Sequence, residues 1–151
     1  MFHANLRRLL GASIAAAAFA TAAPAFAGQC PAGQTGQNPL TGAPTAPKAV
    51  TDDVLGSIDL GPEIAVADRQ LRMRKLVVQP GGIVPLHSHG DRPALILTVS
   101  GTIKEYRSTC AQPIVHTAGD LTREAEGISH YWVNDGKVPA VLYSADVHHG
   151  M

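Results

Sequence analysis

Three histidines supply the chemistry this sequence can do. His87-Ser88-His89 follows a Gly81-Gly82 turn and precedes an apolar run over residues 94–99. On an extended strand, residues two apart project from the same face, so the two imidazoles point the same way. His130 comes 41 residues after His89, inside the stretch GDLTREAEGISHYWVN. Three imidazoles converging from two strands make a facial metal site with open positions. Neutral imidazole suits Fe, Mn, Ni, Cu and Zn alike, and no thiolate is placed to narrow the choice. The competing reading of His87 and His89 is a pair of surface histidines in a polar turn.

To bring these side chains together the chain must set them on neighbouring strands, and its pattern offers strands. A chain of 151 residues suits one domain with one sizeable core. Its 15 glycines, 11 prolines and few aromatics favour a turn-rich β protein. Strands are expected over 58–60, 64–67, 71–79, 83–89, 94–99, 102–107, 113–116, 121–124, 128–133 and 138–147. Pro80-Gly81-Gly82, Ser100-Gly101 and Asn134-Asp135-Gly136-Lys137 supply turns between them. Residues 51–56 are ambiguous and could form one helical turn. Short strands at spacings of about 8–12 residues without a helical period argue for a sandwich or closed barrel. There is no internal repeat and no second domain.

Two stretches resemble the paired motifs of the cupin superfamily. The first motif runs Gly, five residues, His-x-His, three or four residues, Glu, six residues, Gly; here Gly81, His87, His89 and Gly101 fall in register, with Ala94 in the place of Glu. The second runs Gly, five residues, Pro-x-Gly, two residues, His, three residues, Asn; Gly119, Gly127, His130 and Asn134 match, with Ala125 in the place of Pro. The resemblance implies an all-β double-stranded β-helix, or jelly roll, over residues 57–147, with a metal inside the barrel mouth. It also implies that His87, His89 and His130 ligate a divalent transition metal (Fe, Mn, Zn, Ni or Cu). At Ala94 no ligand is available.

Three carboxylates compete for the vacated place: Glu105, Asp91 and, foremost, Glu124 on the strand leading to His130. The ordinary fate of each is a solvated charge. Arg92, at the mouth of the site, could orient an anionic substrate bidentately, whereas Arg72, Arg74, Arg107 and Arg123 read mainly as exposed strand residues. Parity with His130 turns Trp132 inward and Tyr131 outward, so Trp132 is either core or pocket wall. His116 reads as a lone polar strand residue. His148-His149, in a frayed tail over 148–151, could bind metal adventitiously.

The ends bear on where the protein works. Arg7 and Arg8, the Ala-rich apolar run over 9–23 and Ala25-Phe26-Ala27 make residues 1–27 a cleavable signal peptide rather than a stable membrane anchor. Residues 28–56 read as a flexible Gly/Pro-rich arm. Removing Arg7 and Arg8 from 12 basic residues leaves ten against 12 acidic ones, and no basic stripe suggests nucleic acid. Two cysteines in an exported chain suggest a Cys30–Cys110 disulfide. The expected protein is periplasmic or secreted, able to form a homodimer, and takes a small-molecule ligand or substrate. A metal-dependent dioxygenase is the enzyme reading; a non-catalytic ligand- or metal-binding cupin and a cupin isomerase or lyase are the alternatives.

Overall fold

The structure, a computed structural model, describes residues 28–150. The signal peptide expected over residues 1–27 lies outside the described residues. In chain order the elements are β1 (Lys48–Asp59), α1 (Leu60–Ile64), β2 (Arg69–Ser88), β3 (Ala94–Ser100), β4 (Thr102–Arg107), β5 (Ile114–Thr117), β6 (Leu121–Glu124), β7 (Ser129–Val133) and β8 (Ala140–His149). All strand pairs are antiparallel, in the order β5-β4-β7-β2-β8-β3-β6, with β1 added to β2. The sheet curls until its ends meet: the turn after β5 returns to β3 through Thr98 N to Asp120 O and Gly119 N to Thr98 O. This is the all-β barrel expected from the sequence.

Strict alternation decides what fills the barrel. On β3, Ala94, Ile96 and Thr98 are buried while Leu95, Leu97 and Val99 are exposed. On β8 the inward set is Ala140, Leu142, Ser144 and Asp146; on β4 it is Ile103, Glu105 and Arg107. The apolar members gather around Leu76, Val78, Ile96, Ile103, Trp132, Ala140 and Leu142. Of the polar members, Glu105 accepts from His130, and Ser144 lines the cavity that His87 and His89 also line.

β2 organises the rest. It runs 20 residues, pairing with β8 over its first half and with β7 over its second. The expected break at Pro80-Gly81-Gly82 is a bend inside one strand. Gly81 takes φ +72°, and a Cβ on Gly82 would lie 2.7 Å from Gln79 O. Buried Asn134 pins the bend with side-chain bonds to Val78 O (2.8 Å) and Val138 O (2.9 Å), while the Gly81 amide donates to Asn134 O. An irregularity between Val84 and His87 shifts the register against β7. That extra residue turns both Val84 and His87 into the same cavity, though simple alternation would separate them.

Several local expectations are corrected. Lys48–Asp59 is a strand paired with β2 and not part of an irregular arm, and the short strands expected around Gly61-Pro62 are the end of β1, the helix α1 and the turn that follows it. Asp59 caps α1 by accepting from Gly61 N. Residues 28–47 are not a free arm either. Thr35 bridges Cys110, Gly36 N reaches Thr109 O, Asn38 N reaches Ser108 O, and Leu86 N reaches Pro44 O. A segment too polar to form its own core meets its backbone hydrogen-bond needs on the barrel instead. The tail expected at 148–151 is in β8 as far as His149, paired with Arg69 and Gln70 of β2.

Cys30 and Cys110 are joined by a disulfide with a Cα–Cα distance of 5.3 Å, and Cys110 is buried. Closing so long a loop stabilises a fold by about 2–4 kcal/mol, and here it secures the N-terminal segment against the β4–β5 connection.

Candidate functional site

The antiparallel register of β2 and β7 sets His87 directly opposite His130. His89 lies one residue past the end of β2, held by a hydrogen bond from its backbone N–H to Ile128 O. The three rings meet at their Nε2 atoms. His87 and His130 Nε2 are 3.0 Å apart, and His89 Nε2 is 3.1 Å from each. His89 and His130 are buried and His87 is half-buried. The structure therefore brings together the three histidines selected from the sequence.

These short Nε2–Nε2 contacts are not hydrogen bonds between neutral rings. Each Nδ1 faces a group that can only accept: Pro85 O at 2.9 Å for His87, Arg92 O at 2.7 Å for His89 and Glu105 Oε1 at 2.7 Å for His130. Each ring proton therefore sits on Nδ1, and three Nε2 lone pairs point at one another. Burial and the neighbouring imidazoles push the pKa of His87 down to about 3 and that of His89 down to about 4, and burial lowers His130 as well. No proton relieves the convergence at neutral pH. A metal cation would, and the donor set fits one. Metal–nitrogen bonds of about 2.1 Å place adjacent ligands about 3.0 Å apart on an octahedron and about 3.4 Å apart on a tetrahedron, so the observed triangle matches an octahedral face.

Behind His130 lies a buried charged network that sequence reasoning did not find. Glu105 accepts from His130, from His116 Nε2 (2.9 Å) and from Arg107 Nε and Nη2 (2.7 and 3.0 Å). Arg107 Nη2 also donates to Glu124 Oε1 at 2.9 Å, and His116 Nδ1 lies 3.2 Å from Thr122 Oγ1. Burial raises the pKa of Glu105, but hydrogen bonds from His116, His130 and Arg107 more than offset this and hold it well below the usual carboxylate range. Burial and the Glu105 charge push Glu124 the other way, well above that range. The network thus balances one guanidinium with one carboxylate, with Glu124 protonated. Its signal in the sequence was the parity of β4, where Ile103, Glu105 and Arg107 share one face.

The structure answers the question of the vacated ligand position. Ala94 is buried on β3, opposite Glu124 on one side and Asp146 on the other. Glu124 does not face the Nε2 triangle; its Oε2 lies 3.5 Å from His130 Nδ1, behind the ring. Glu105, Glu124 and His130 form a second close group, but Arg107 already supplies the positive charge there. Asp91 is exposed and accepts from His149 Nε2. Asp146, which sequence reasoning did not single out, is 1% exposed and takes a bidentate pair from Arg72 at 3.0 and 2.8 Å.

Arg72, Arg74 and Arg107 are therefore not the solvated strand residues expected; all three point inward to buried carboxylates, and only Arg123 is exposed, beside Glu126. Trp132 serves both roles weighed for it. It is 1% exposed in the core cluster, stands edge-on to His130 with ring centroids 5.7 Å apart, and closes one side of a cavity of about 240 Å³. His87, His89, Arg74, Arg92 and the apolar Val84, Ile96 and Leu142 also line that cavity.

The lowered histidines carry a pH consequence. Unfolded imidazoles titrate near 6.5, so below that pH the unfolded chain binds more protons than the folded one at His87, His89 and His130. Glu124, and the exposed His149 held up by Asp68 and Asp91, act in the opposite sense, but the three histidines outnumber them. Metal-free protein is expected to lose stability steadily from about pH 6.5 to about pH 4. Urea midpoints across that range check it, and a flat profile contradicts neutral imidazoles.

The strand order and the histidine cluster are those of a cupin barrel. Residues 74–146 match the sequence model of the Cupin_2 family, described as a cupin domain. It is 32% identical over 76 residues to auxin-binding protein ABP19b of Prunus persica, an alignment covering 48% of this chain and 36% of that one. It is 34% identical over 75 residues to germin-like protein 8-14 of Oryza sativa subsp. japonica, covering 47% and 35%. The chain thus spans about a third of the length of these curated relatives. Among solved structures, TT1209 from Thermus thermophilus shares the fold with a TM-score of 0.52 at 14% identity, covering 69% of this chain and 88% of that one.

Proposed function

We propose that this chain is an exported cupin that holds one divalent transition metal on His87, His89 and His130 and acts as a metal-dependent dioxygenase or related oxidoreductase on a small organic substrate. The observation that carries the reading is the triangle of three proton-free Nε2 atoms 3.0–3.1 Å apart, each fixed by an acceptor on its own Nδ1. An ion on three neutral nitrogens keeps its full charge and open positions, and supplies Lewis-acid or redox chemistry there. The chain's own residues orient and enclose. Glu105 fixes the tautomer and ring plane of His130, Arg92 O does the same for His89, and Trp132 shields one side of the cavity from water.

Oxygen uptake by iron- or manganese-loaded protein, measured against a panel of small phenols, organic acids and diketones, tests the reaction. Consumption in step with loss of one substrate is expected. The names of the auxin-binding relatives favour a second reading, a cupin that binds a small molecule without turning it over; saturable ligand binding without oxygen consumption would establish it. An isomerase or lyase would transform its substrate with no oxygen consumed.

Export is part of the proposal. No helix among the described residues is long and apolar enough to cross a membrane. Cleavage after Ala27 is expected to leave Gly28 at the mature terminus. The intact mass of periplasmic or secreted protein checks it, and an unprocessed mass confined to the membrane fraction would overturn it.

A further inference from the structure

The metal centre as proposed leaves its substrate without a chemical class, and the mouth of the barrel offers one. Arg72, Arg74 and Arg92 converge on a single buried carboxylate: Asp146 Oδ2 lies 2.8, 3.5 and 3.5 Å from their guanidinium nitrogens. Arg72 gives one hydrogen bond to each oxygen of Asp146. Arg74 turns Nη1 to Asp52 and Nη2 to Ser144 Oγ at 3.4 Å, which leaves its buried Nε without an acceptor. Among the described residues, Arg92 is held by nothing closer than the 3.5 Å ion pair with Asp146.

Three guanidiniums against the carboxylates of Asp52 and Asp146 leave one positive charge in surplus. The two under-used arginines, Arg74 and Arg92, are the ones that line the cavity with His87 and His89. A buried N–H with no acceptor is costly to the fold, and a bound oxyanion would supply the missing acceptor. Much of the remaining lining is of another kind: Val84, Ile96, Leu142 and Trp132 are apolar or aromatic, and the one carboxylate there, Asp52, is already paired with Arg74. About 240 Å³ equals roughly eight water volumes of about 30 Å³ each, enough for a body of one ring or a short branched chain.

We propose that this cavity binds a small organic carboxylate with an apolar body, the carboxylate held by Arg74 and Arg92 and the body laid on the wall between Val84 and Trp132. The inference rests on the metal-centre reading in that this acid is the centre's substrate, but its binding can be measured without metal. Arg92 acts here as a specificity residue, and its own backbone carbonyl holds His89, so one loop residue connects the two halves of the site.

Calorimetric titration of chelator-stripped protein, its metal content verified, with benzoate, benzamide and oxalate tests the proposal. Benzoate is expected to bind, with benzamide and oxalate each at least about tenfold weaker, since one lacks the charge and the other the apolar body. Arg92→Gln should weaken benzoate by about tenfold or more while leaving benzamide unchanged. Arg74→Gln should act in the same direction. Because Arg74 also holds Asp52, Arg92→Gln is the deciding variant, as it removes no hydrogen bond from the fold. Equal binding of benzoate and benzamide, oxalate binding as tightly as benzoate, or a benzoate affinity indifferent to Arg92→Gln would overturn the proposal. Benzoate binding to a protein that never takes up metal would support the carboxylate site and reject the metal centre, so the two readings fail separately.

Discussion

Purified protein without an affinity tag is expected to carry close to one divalent transition-metal ion per chain, and His130→Ala almost none. His130 is the deepest of the three histidines and the only one oriented by a carboxylate. Its loss leaves two imidazoles, on one strand end, to hold an ion that three had captured. The terminal His148 and His149 must be neutralised for the measurement. Glutamine at both positions is preferable to truncation, because these residues pair with β2 at the end of the unbroken β2–β8 ladder. The paired substitutions should keep the ion, whereas His130→Ala in the same background should lose it by elemental analysis. Retained stoichiometry in His130→Ala, with the barrel still folded by circular dichroism, would refute the site.

How far the sequence revealed this arrangement depended on whether parity alone decided the outcome. Period-2 reasoning placed His87 and His89 on one face and turned Trp132 inward with His130, and the structure agrees. It could not see the extra residue between Val84 and His87, which lets both line one cavity. The Gly/Pro-rich composition at residues 28–47 argued for a free arm, because such a segment has no core of its own. The expected Cys30–Cys110 bond is there, but the barrel also supplies backbone hydrogen-bond partners that composition does not encode. Charged residues misled most. Arg72, Arg74 and Arg107 alternate as a solvated strand face would, yet each meets a buried carboxylate: Asp146 on the neighbouring β8 for Arg72 and Arg74, and Glu105 on its own strand with Glu124 on β6 for Arg107. Only the fold shows that these arginines turn inward to meet carboxylates.

Within that interior charge network, Glu105→Gln is expected to be severe and Glu124→Gln mild. Both positions are buried, accept from the same Arg107 and differ from glutamine by one atom, so shape alone predicts similar losses. Their protonation states predict otherwise. Glu105 is ionised and surrounded by donors: His130, His116 and two nitrogens of Arg107. A glutamine there must aim its NH2 at one of them, leaving a buried donor facing a donor and Arg107 without its counter-charge. Breaking a buried pair in this way costs about 3–5 kcal/mol, partly offset as Glu124, freed from the repulsion of Glu105, ionises in its place. Glu124 is held neutral by burial and by Glu105, so an amide closely copies the state it already occupies, and a loss below about 1 kcal/mol is expected. The metal should register the same asymmetry. Glu105→Gln releases the tautomer and ring plane of His130 and should weaken metal binding by about 10–100-fold, whereas Glu124→Gln leaves the His130–Glu105 bond in place. Urea unfolding of metal-free protein and chelator competition with metal-loaded protein measure the two quantities independently. Equal losses at positions 105 and 124 in both would mean that the network shares its charge evenly, and that His130 is not oriented by Glu105 alone.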